Sequence, residues 1–311
     1  MARVLITGAL GVVGKALTSE LKRRGHEVYG VDLAHSERGA LDYYCRADVA
    51  NYGLMHDLAD HKFEHVYHLA AEFGRVNGEE YPEALWRSNA VGTKNMLDLQ
   101  TCYGYKLYLA SSSEVYGEGP WDVEVLDEGV TDRCVLHHHN DYAMSKWVNE
   151  QQVRNHLRRN PHLHVSPLRF FNSYGPGEHY HPYRSVVCLF IYNALKGLPY
   201  TVYRGYSRAF MYIDDFIPTL ANVCERFEPG GVYNIGGTDY RSVRELSDLI
   251  LRHLGKDDRL VTLLPEEKHN VQNKRPDITK AREAFGHDPK VTLEEGVPRT
   301  LDWMKQLYQA G

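Results

Sequence analysis

The stretch VLITGALGVVG, residues 4–14, is followed closely by EVYGVD, residues 27–32. Three glycines at intervals of three residues come directly after the short apolar run of the first stretch. Residues 13–24 then carry the apolar periodicity of an amphipathic helix, which Gly25 ends. The second stretch is again apolar and closes on an acid. The sequence therefore predicts a strand, a glycine turn, a helix and a second strand, in that order.

The three glycines, Gly8, Gly11 and Gly14, make this turn suitable for a phosphate group. Without a Cβ, backbone N–H groups can approach a pyrophosphate closely, and the following helix directs the positive end of its dipole towards it. Asp32, at the end of the second strand, is positioned to accept hydrogen bonds from adenosine ribose hydroxyls, which favours NAD over NADP. A glycine-rich turn without a ligand is the alternative, but the flanking strands and the acid favour a dinucleotide site.

Apolar strands and amphipathic helices alternate through the first half of the chain. Further strands are predicted at residues 43–47, 65–71, 106–111 and 165–170, and long helices at residues 83–103 and 142–159. Such alternation is typical of an α/β protein with a doubly wound parallel sheet. We expect residues 1–171 to form a nucleotide-binding domain and residues 172–311 to form mainly a smaller, interleaved substrate lobe. A strand near residues 232–237 is expected to return to the first sheet.

The composition excludes several classes of protein. The 311 residues carry a net charge of −5, so no overall basic field attracts nucleic acid or an anionic membrane. No apolar run approaches the ~20 residues that span a bilayer, and no membrane association is expected. The five cysteines are an odd number and far apart, as in reduced thiols of a cytoplasmic protein. The three histidines at 137–139 lack the spacing of a metal site, so no metal is predicted.

Two further motifs carry chemistry. Tyr142 and Lys146 stand one helical turn apart at the start of a predicted helix and therefore share a face. A lysine ammonium there, together with the positive charge of a nicotinamide, would stabilise the phenolate and provide a base near neutral pH. The run SSSEVYG, residues 111–117, directly follows a strand, at the edge where parallel sheets bind ligands. Alone, each motif also fits a structural role, as a helix face or a hydroxyl-rich loop.

Taken together, these motifs resemble the extended short-chain dehydrogenase/reductase superfamily, and within it the NAD-dependent nucleotide-sugar epimerases, dehydratases and decarboxylases. The matching segments follow the family's order and span almost the whole chain: TGALGVVG (7–14), HLAA (68–71), SNAVGT (88–93), SSSEVYG (111–117), YAMSK (142–146), LRFFNSYGPG (168–177), SRAFMYIDD (207–215), YNIGG (233–237) and KRPDI (274–278). The resemblance implies a Rossmann-type fold, NAD as cofactor and a nucleotide-diphosphate sugar as substrate. It also implies a homodimer that forms through the helices 83–103 and 142–159.

Carried over residue by residue, the resemblance implies a set of site residues. Ser112 would hydrogen-bond the sugar's 4-hydroxyl, Tyr142 would take its proton and Lys146 would tune Tyr142, so that C4 passes a hydride to NAD. The residues implied at the cofactor are Gly8, Gly11, Val12, Val13, Gly14, Asp32, Asp48, Val49, Leu69, Ala70, Ala71, Asn89, Tyr142 and Lys146. Those implied at the substrate are Ser113, Asn172, Arg184, Arg208 and Arg275. Arginine suits the diphosphate because its planar fork can form two hydrogen bonds to phosphate oxygens.

Glu114 bears on the choice of reaction. Simple 4-epimerases of the superfamily usually carry no carboxylate there. A glutamate can remove the C5 proton of a 4-keto sugar for 4,6-dehydration, or assist protonation at C5 after decarboxylation. We expect one of these two reactions; the alternatives are a 4-epimerase in which Glu114 only binds or supports structure, and a non-catalytic NAD-binding sensor. Glu72, Arg75 and Asn77 follow a strand end near the expected nicotinamide site, where sugar contacts and a plain surface turn are both open.

Overall fold

A computed structural model describes residues 1–35, 39–118, 123–226, 231–267 and 270–308. The strands are β1 (Arg3–Thr7), β2 (Glu27–Asp32), β3 (Tyr43–Arg46), β4 (His65–His68), β5 (Lys106–Ser112), β6 (Val165–Phe170), β7 (Ser173–Tyr174), β8 (Tyr200–Tyr203), β9 (Ser207–Tyr212), β10 (Tyr233–Ile235), β11 (Asp239–Ser242), β12 (Val261–Leu264) and β13 (Asn273–Lys274). The helices are α1 (Val12–Arg23), α2 (Tyr52–Ala59), α3 (Arg75–Glu80), α4 (Pro82–Trp86), α5 (Gly92–Tyr103), α6 (Val130–Arg133), α7 (Asp141–Arg159), α8 (Val186–Lys196), α9 (Ile213–Glu225), α10 (Val243–Leu254), α11 (Thr279–Phe285) and α12 (Leu293–Tyr308).

Seven parallel strands form the central sheet, in the order β10, β6, β5, β4, β1, β2, β3. The predicted α/β class with a doubly wound parallel sheet is therefore confirmed. From β1 the chain continues to β2 and β3 on one side, and β4 lies on the other side of β1, so the direction of winding reverses between β1 and β4. Open α/β sheets bind their ligands at such a point, outside the carboxyl ends of the strands. The seventh strand, β10, comes from the second half of the chain and pairs with β6.

Both faces of the sheet are covered. Val4 and Ile6 of β1 belong to one apolar cluster, and Leu5 between them belongs to another. Successive strand residues point to opposite faces, so this alternation buries both sides. The pair α1 and α9 packs on the first face and the pair α2 and α5 on the second. Helices thus cover both faces of the sheet, and the carboxyl edge of its strands remains free to form a binding site.

A smaller set of strands lies in the second half of the chain. β9 pairs antiparallel with β11 and parallel with β7 and β13, while β8 and β12 form a separate parallel pair. The register of β9 and β13 places Lys274 opposite Arg208. Two segments that the sequence assigned to substrate binding, residues 207–215 and 274–278, are thereby brought side by side.

The long helix that the sequence predicts at 83–103 is continuous but not uniform. It consists of α4, a π-helical turn at Arg87–Val91 and α5. The side-chain amide of Gln152, on α7, donates to the carbonyl oxygen of Ala90 at 3.1 Å. A π-turn interrupts the regular hydrogen-bond ladder of a helix and is frequent at functional sites. Here a neighbouring helix supplies a partner to a carbonyl in the turn.

Candidate active site

The glycine turn lies where β1 meets α1, next to the end of β4. Gly8 has a φ of +72°, and a Cβ on it would lie 2.8 Å from the backbone nitrogen of Ala70. A Cβ on Gly14 would lie 2.2 Å from the carbonyl oxygen of Gly8. Both distances are too short for packed atoms, so these positions require glycine. The turn presents bare backbone at the start of α1, as the pyrophosphate of a dinucleotide requires.

Two aspartates follow the glycine turn along the same wall. Asp32 accepts hydrogen bonds from the backbone N–H of Leu10 at 2.9 Å and of Ala34 at 3.1 Å, which ties the turn to the end of β2. Asp48 accepts from the guanidinium of Arg87 at 3.0 Å. Both carboxylates line the cavity described next, where hydroxyl and amino groups of a nucleoside could bind.

One continuous cavity of about 840 Å³ runs from the glycine turn to the second half of the chain. Its wall contains most of the residues that the sequence assigned to cofactor and substrate: Gly8, Gly11, Val12, Val13, Gly14, Asp32, Asp48, Val49, Leu69, Ala70, Ala71, Ser112, Ser113, Glu114, Tyr142, Lys146, Asn172, Arg184 and Arg208. The residues predicted to bind cofactor and substrate therefore share one cavity at the carboxyl edge of the sheet.

Two of the predicted residues are not part of this wall. Asn89 is buried in the π-helical turn, where its side chain accepts from the N–H of Glu72 at 2.9 Å and donates to the Glu72 carbonyl at 3.0 Å. It thus holds a segment that does line the cavity. Arg275 is exposed and pairs with Glu124 at 3.1 Å. It directly follows Lys274 of β13, and neighbouring residues of an extended segment point in opposite directions.

Tyr142 and Lys146 face the cavity from the first two turns of α7. Lys146 Nζ donates to the carbonyl oxygen of Ala110 at 2.8 Å and lies 5.8 Å from the centre of the Tyr142 ring. Burial raises the pKa of Tyr142 to about 12, although its hydrogen bond with Ser112 lowers it. Burial also lowers the pKa of Lys146 to about 8. The phenolate expected from the sequence therefore depends on the added positive charge of an oxidised nicotinamide.

Glu114 stands in the 3-10 turn Ser113–Tyr116, after β5, and forms a buried ion pair with Lys274. Lys274 is 1% exposed. Burial alone would raise the pKa of Glu114, but the charges of Lys274, Arg75 and Arg208 outweigh it and hold this pKa well below its ordinary value. Burial lowers the pKa of Lys274. The carboxylate at the cavity wall is therefore ionised, and its partner is a more acidic ammonium than an exposed lysine carries.

Asn172, Arg184 and Arg208 differ in how far other protein groups already satisfy their hydrogen-bonding atoms. Asn172 has a φ of +23°, and its Oδ1 is buried with no hydrogen-bond partner among the described residues. The Nε of Arg184 is in the same situation, and its guanidinium lies 4.6 Å from the ring centre of Phe73. Buried polar atoms without partners are rare, and in a cavity wall they mark places where a ligand can supply the partner. Arg208 instead donates to the Asn270 side chain and to three backbone carbonyls.

Sequence reasoning missed two charged residues around Glu114, Lys274 and Glu267, and it left the role of a third, Arg75, open. The segment KRPDI, residues 274–278, matches the family, but the sequence favours Arg275 as the substrate residue and not Lys274. The pairing of β13 with β9, which points Lys274 inwards, is a long-range contact that the local sequence does not encode. Arg75 pairs with Glu267, whose side-chain oxygen lies 3.0 Å away. Arg75 lies in the segment after β4, for which the sequence allows either a sugar contact or a surface turn. Nothing in the sequence indicates a role for Glu267.

The sequence matches a known family over most of its length. Residues 4–236 match the sequence model of the NAD dependent epimerase/dehydratase family. The chain belongs to this family. Membership confirms the family predicted from the motifs, the Rossmann-type fold and NAD as the cofactor. The glycine turn of this protein fits that cofactor, because Gly8 and Gly14 allow close backbone packing that presents bare backbone at the start of α1.

Individual relatives act on nucleotide-linked sugars. The UDP-N-acetyl-alpha-D-glucosaminuronate decarboxylase of Bacillus cytotoxicus is 29% identical, over 98% of this chain and 98% of its own. UDP-glucuronic acid decarboxylase 1 of Danio rerio is 32% identical, over 98% of this chain and 73% of its own. The structure of UDP-glucose 4-epimerase from Thermotoga maritima with UDP-glucose superposes with a TM-score of 0.88 at 26% identity, covering 98% of this chain and 99% of that one.

The described residues are expected to form neither a membrane-spanning helix nor a metal site. Across the part of the chain that the structure describes, each helix is too short or too polar to cross a membrane. In the same residues, no group of three or more His, Cys, Asp or Glu side chains is arranged to hold a metal ion. Within the histidine run, His138 hydrogen-bonds the carbonyl oxygen of Val115 and His139 pairs with Glu118.

Proposed function

We propose that this protein uses NAD to oxidise C4 of a nucleotide-linked uronic acid, and then releases the carboxyl group as carbon dioxide. The observation that carries this proposal is the buried ion pair of Glu114 with Lys274. A carboxylate whose pKa is held low is a weak base, poorly suited to remove the C5 proton, as 4,6-dehydration requires. Decarboxylation needs no such base, because its electron pair comes from the C5–C6 bond. Relatives that are uronate decarboxylases, two of which are described above, support the same choice.

Tyr142, Ser112 and Lys146 act at the sugar's 4-hydroxyl in this proposal. Ser112 hydrogen-bonds the oxygen and Tyr142 takes the proton. Lys146 keeps a positive charge beside the tyrosine because the carbonyl oxygen of Ala110 holds its ammonium in place. NAD, when bound, would supply the group that takes the hydride from C4 and gives it back at the end of the reaction. The backbone from Gly8 to Gly14 binds its pyrophosphate.

Glu114 and Lys274 act after C4 has become a ketone. The C5–C6 bond breaks, its electron pair enters the C4 carbonyl to form an enolate, and carbon dioxide leaves. The positive charges of Lys274, Arg75 and Arg208 stabilise the enolate. The proton for C5 passes from the acidic ammonium of Lys274 through Glu114, which lines the cavity. Reduction of C4, return of the proton from Tyr142 and uptake of one solvent proton to restore the ammonium of Lys274 complete the cycle.

The substrate residues in this proposal are those with unsatisfied atoms or positive charge in the second half of the chain. Asn172 and Arg184 have buried side-chain atoms that lack partners. Arg208 contributes charge at the cavity wall, and Ser113 is a buried hydroxyl beside Glu114. Arg275 reaches a diphosphate only if it leaves Glu124, its partner on the surface.

Mass spectrometry of the products tests the reaction. Purified protein and NAD are incubated separately with UDP-glucuronate, UDP-glucose and GDP-mannose. A product lighter by carbon dioxide, from UDP-glucuronate alone, is the expected result. A product lighter by water would mean a dehydratase, and a product of unchanged mass but altered mobility would mean a 4-epimerase; either would contradict the proposal. The matched variant Glu114→Gln should bind UDP-glucuronate but form little UDP-pentose, because the relay that returns a proton to C5 is broken.

The same proposal includes assembly and location. We infer a homodimer in the cytoplasm, formed through the helices 83–103 and 142–159. The apolar side chains of Val91 and Met144 are 47% and 37% exposed on these helices, which supports burial against a second copy. Light scattering during size-exclusion chromatography should give twice the mass of the chain. Charged substitutions at both positions should shift this mass towards that of one chain.

A further inference from the structure

Arg75 is a cavity-lining cation whose role is open. It begins α3, directly after the segment that follows β4, and lines the cavity together with Glu114. Within the described part of the chain, the polar partner of its guanidinium is Glu267, at 3.0 Å. The two side chains are 26% and 23% exposed, so each remains in contact with the cavity solvent. The pair joins α3 to the second half of the chain across the cavity.

The charges around Glu114 do not balance. Arg75, Arg208 and Lys274 are cationic, while Glu114 and Glu267 are carboxylates, which leaves one positive charge in excess. Lys274 is buried against Glu114, and Arg208 is held by the Asn270 side chain and three carbonyls. Neither cation can turn to a ligand without losing buried partners. Arg75 is the cation of this group that has a partly exposed partner and can exchange it.

We propose that Arg75 is the specificity-determining residue for the substrate's sugar, and that it leaves Glu267 to bind a carboxylate on that sugar. This assignment rests on the function proposed above and names the residue that selects its substrate. Two features support the exchange. A guanidinium binds a carboxylate with two parallel hydrogen bonds, and a substrate carboxylate would otherwise lie near the negative charge of Glu114. Glu267 competes for the same guanidinium until the substrate arrives.

If Arg75 exchanges Glu267 for the substrate, substitutions of the two residues should have different effects from those expected if the pair only bridges two parts of the chain. If Arg75 binds the substrate, Arg75→Gln must weaken binding, whereas Glu267→Gln must strengthen it, because the competitor is removed. If the pair only holds the two halves of the chain together, both substitutions break the same contact and have the same effect. The two variants are close in size to the native residues. Retention of NAD affinity shows that each variant is folded.

Binding is measured by isothermal titration calorimetry with UDP-glucuronate, UDP-glucose and UDP on the NAD-loaded protein. All variants are made in a Tyr142→Phe background, in which oxidation is expected to be slowed by about 100-fold or more. We expect Arg75→Gln to weaken UDP-glucuronate binding by about tenfold or more, the value of a charge-assisted hydrogen bond, and to change UDP-glucose binding less than about twofold. Glu267→Gln should tighten UDP-glucuronate binding, and Arg75→Lys should retain part of the preference.

The outcomes separate this assignment from the proposed function. Equal weakening of all three ligands by both variants would overturn the role of Arg75. So would an unchanged preference for UDP-glucuronate in Arg75→Gln, even if the native enzyme releases carbon dioxide. Opposite effects of the two variants, in a protein whose native form releases no carbon dioxide, would support the role of Arg75 and reject the decarboxylation.

Discussion

Lys274→Met removes the ammonium from the buried pair with Glu114 and keeps a side chain of similar length. Lys274 is 1% exposed and the Glu114 side chain 16% exposed, so the remaining carboxylate stays largely out of water. Breaking a buried pair in this way costs about 3–5 kcal/mol. Since Arg75 and Arg208 also lower the pKa of Glu114, we expect a loss near the lower limit, about 3 kcal/mol. In a chain of 311 residues, that loss lowers the melting temperature by about 5 °C.

Thermal and urea denaturation at neutral pH measure this loss, and the double variant Glu114→Gln with Lys274→Met is the control. The double variant buries no unpaired charge, so it should recover most of the lost stability. If the single and double variants are equally destabilised, the cost is one of packing, and the electrostatic interpretation of the pair is wrong. The single variant should also raise the pKa of Glu114, because burial then acts against one fewer positive charge.

Three further predictions concern the cofactor turn, the catalytic tyrosine and the sheet beneath them. Tyr142→Phe should reduce turnover by about 100-fold or more while NAD binding persists, as steady-state rates and a NAD titration will show; full activity would remove Tyr142 from the mechanism. Gly14→Ala should weaken NAD binding by on the order of 100-fold, about 3 kcal/mol, because its Cβ meets the Gly8 carbonyl. Gly53→Ala, with only an ordinary contact at 3.6 Å, should not change that affinity. Burial lowers the pKa of His68 from 6.5 to about 3. As the pH falls, His68 is therefore protonated in the unfolded chain before it is protonated in the folded protein. The stability that this shift contributes is fully present above pH 6.5 and should be lost as the pH falls to 3, with a loss of about 2 kcal/mol at pH 5. In His68→Gln, the denaturation midpoint should depend less on pH over this range.

The order of elements could be predicted from the sequence because local patterns encode it. Apolar runs bounded by glycine or acid, such as residues 4–7 and 27–32, mark strands whether or not their partners are known. The predicted strand at 65–71 ends early, at His68, because the residues after it turn to line the cavity. The π-helical turn at Arg87–Val91 could not be predicted, since no residue type in it distinguishes it from a regular helix.

The charges of the site were harder to predict than its catalytic motif. Tyr142 and Lys146 share a helix face, so their spacing alone brings them together. Lys274 and Glu114 are 160 residues apart, and only the pairing of β13 with β9 makes them neighbours. Which of two adjacent cations points inwards depends on strand register, and for Lys274 and Arg275 the sequence contains no signal that decides it.

The products that the protein forms from UDP-glucuronate in D2O distinguish decarboxylation after oxidation at C4 from epimerisation. Loss of the carboxyl group leaves an enolate that must take its C5 proton from groups in exchange with solvent. We expect a UDP-pentose that lacks the carboxylate and carries one deuterium at C5. A UDP-hexuronate of unchanged carbon content, inverted at C4 and without deuterium at C5, would contradict decarboxylation and identify the protein as a 4-epimerase.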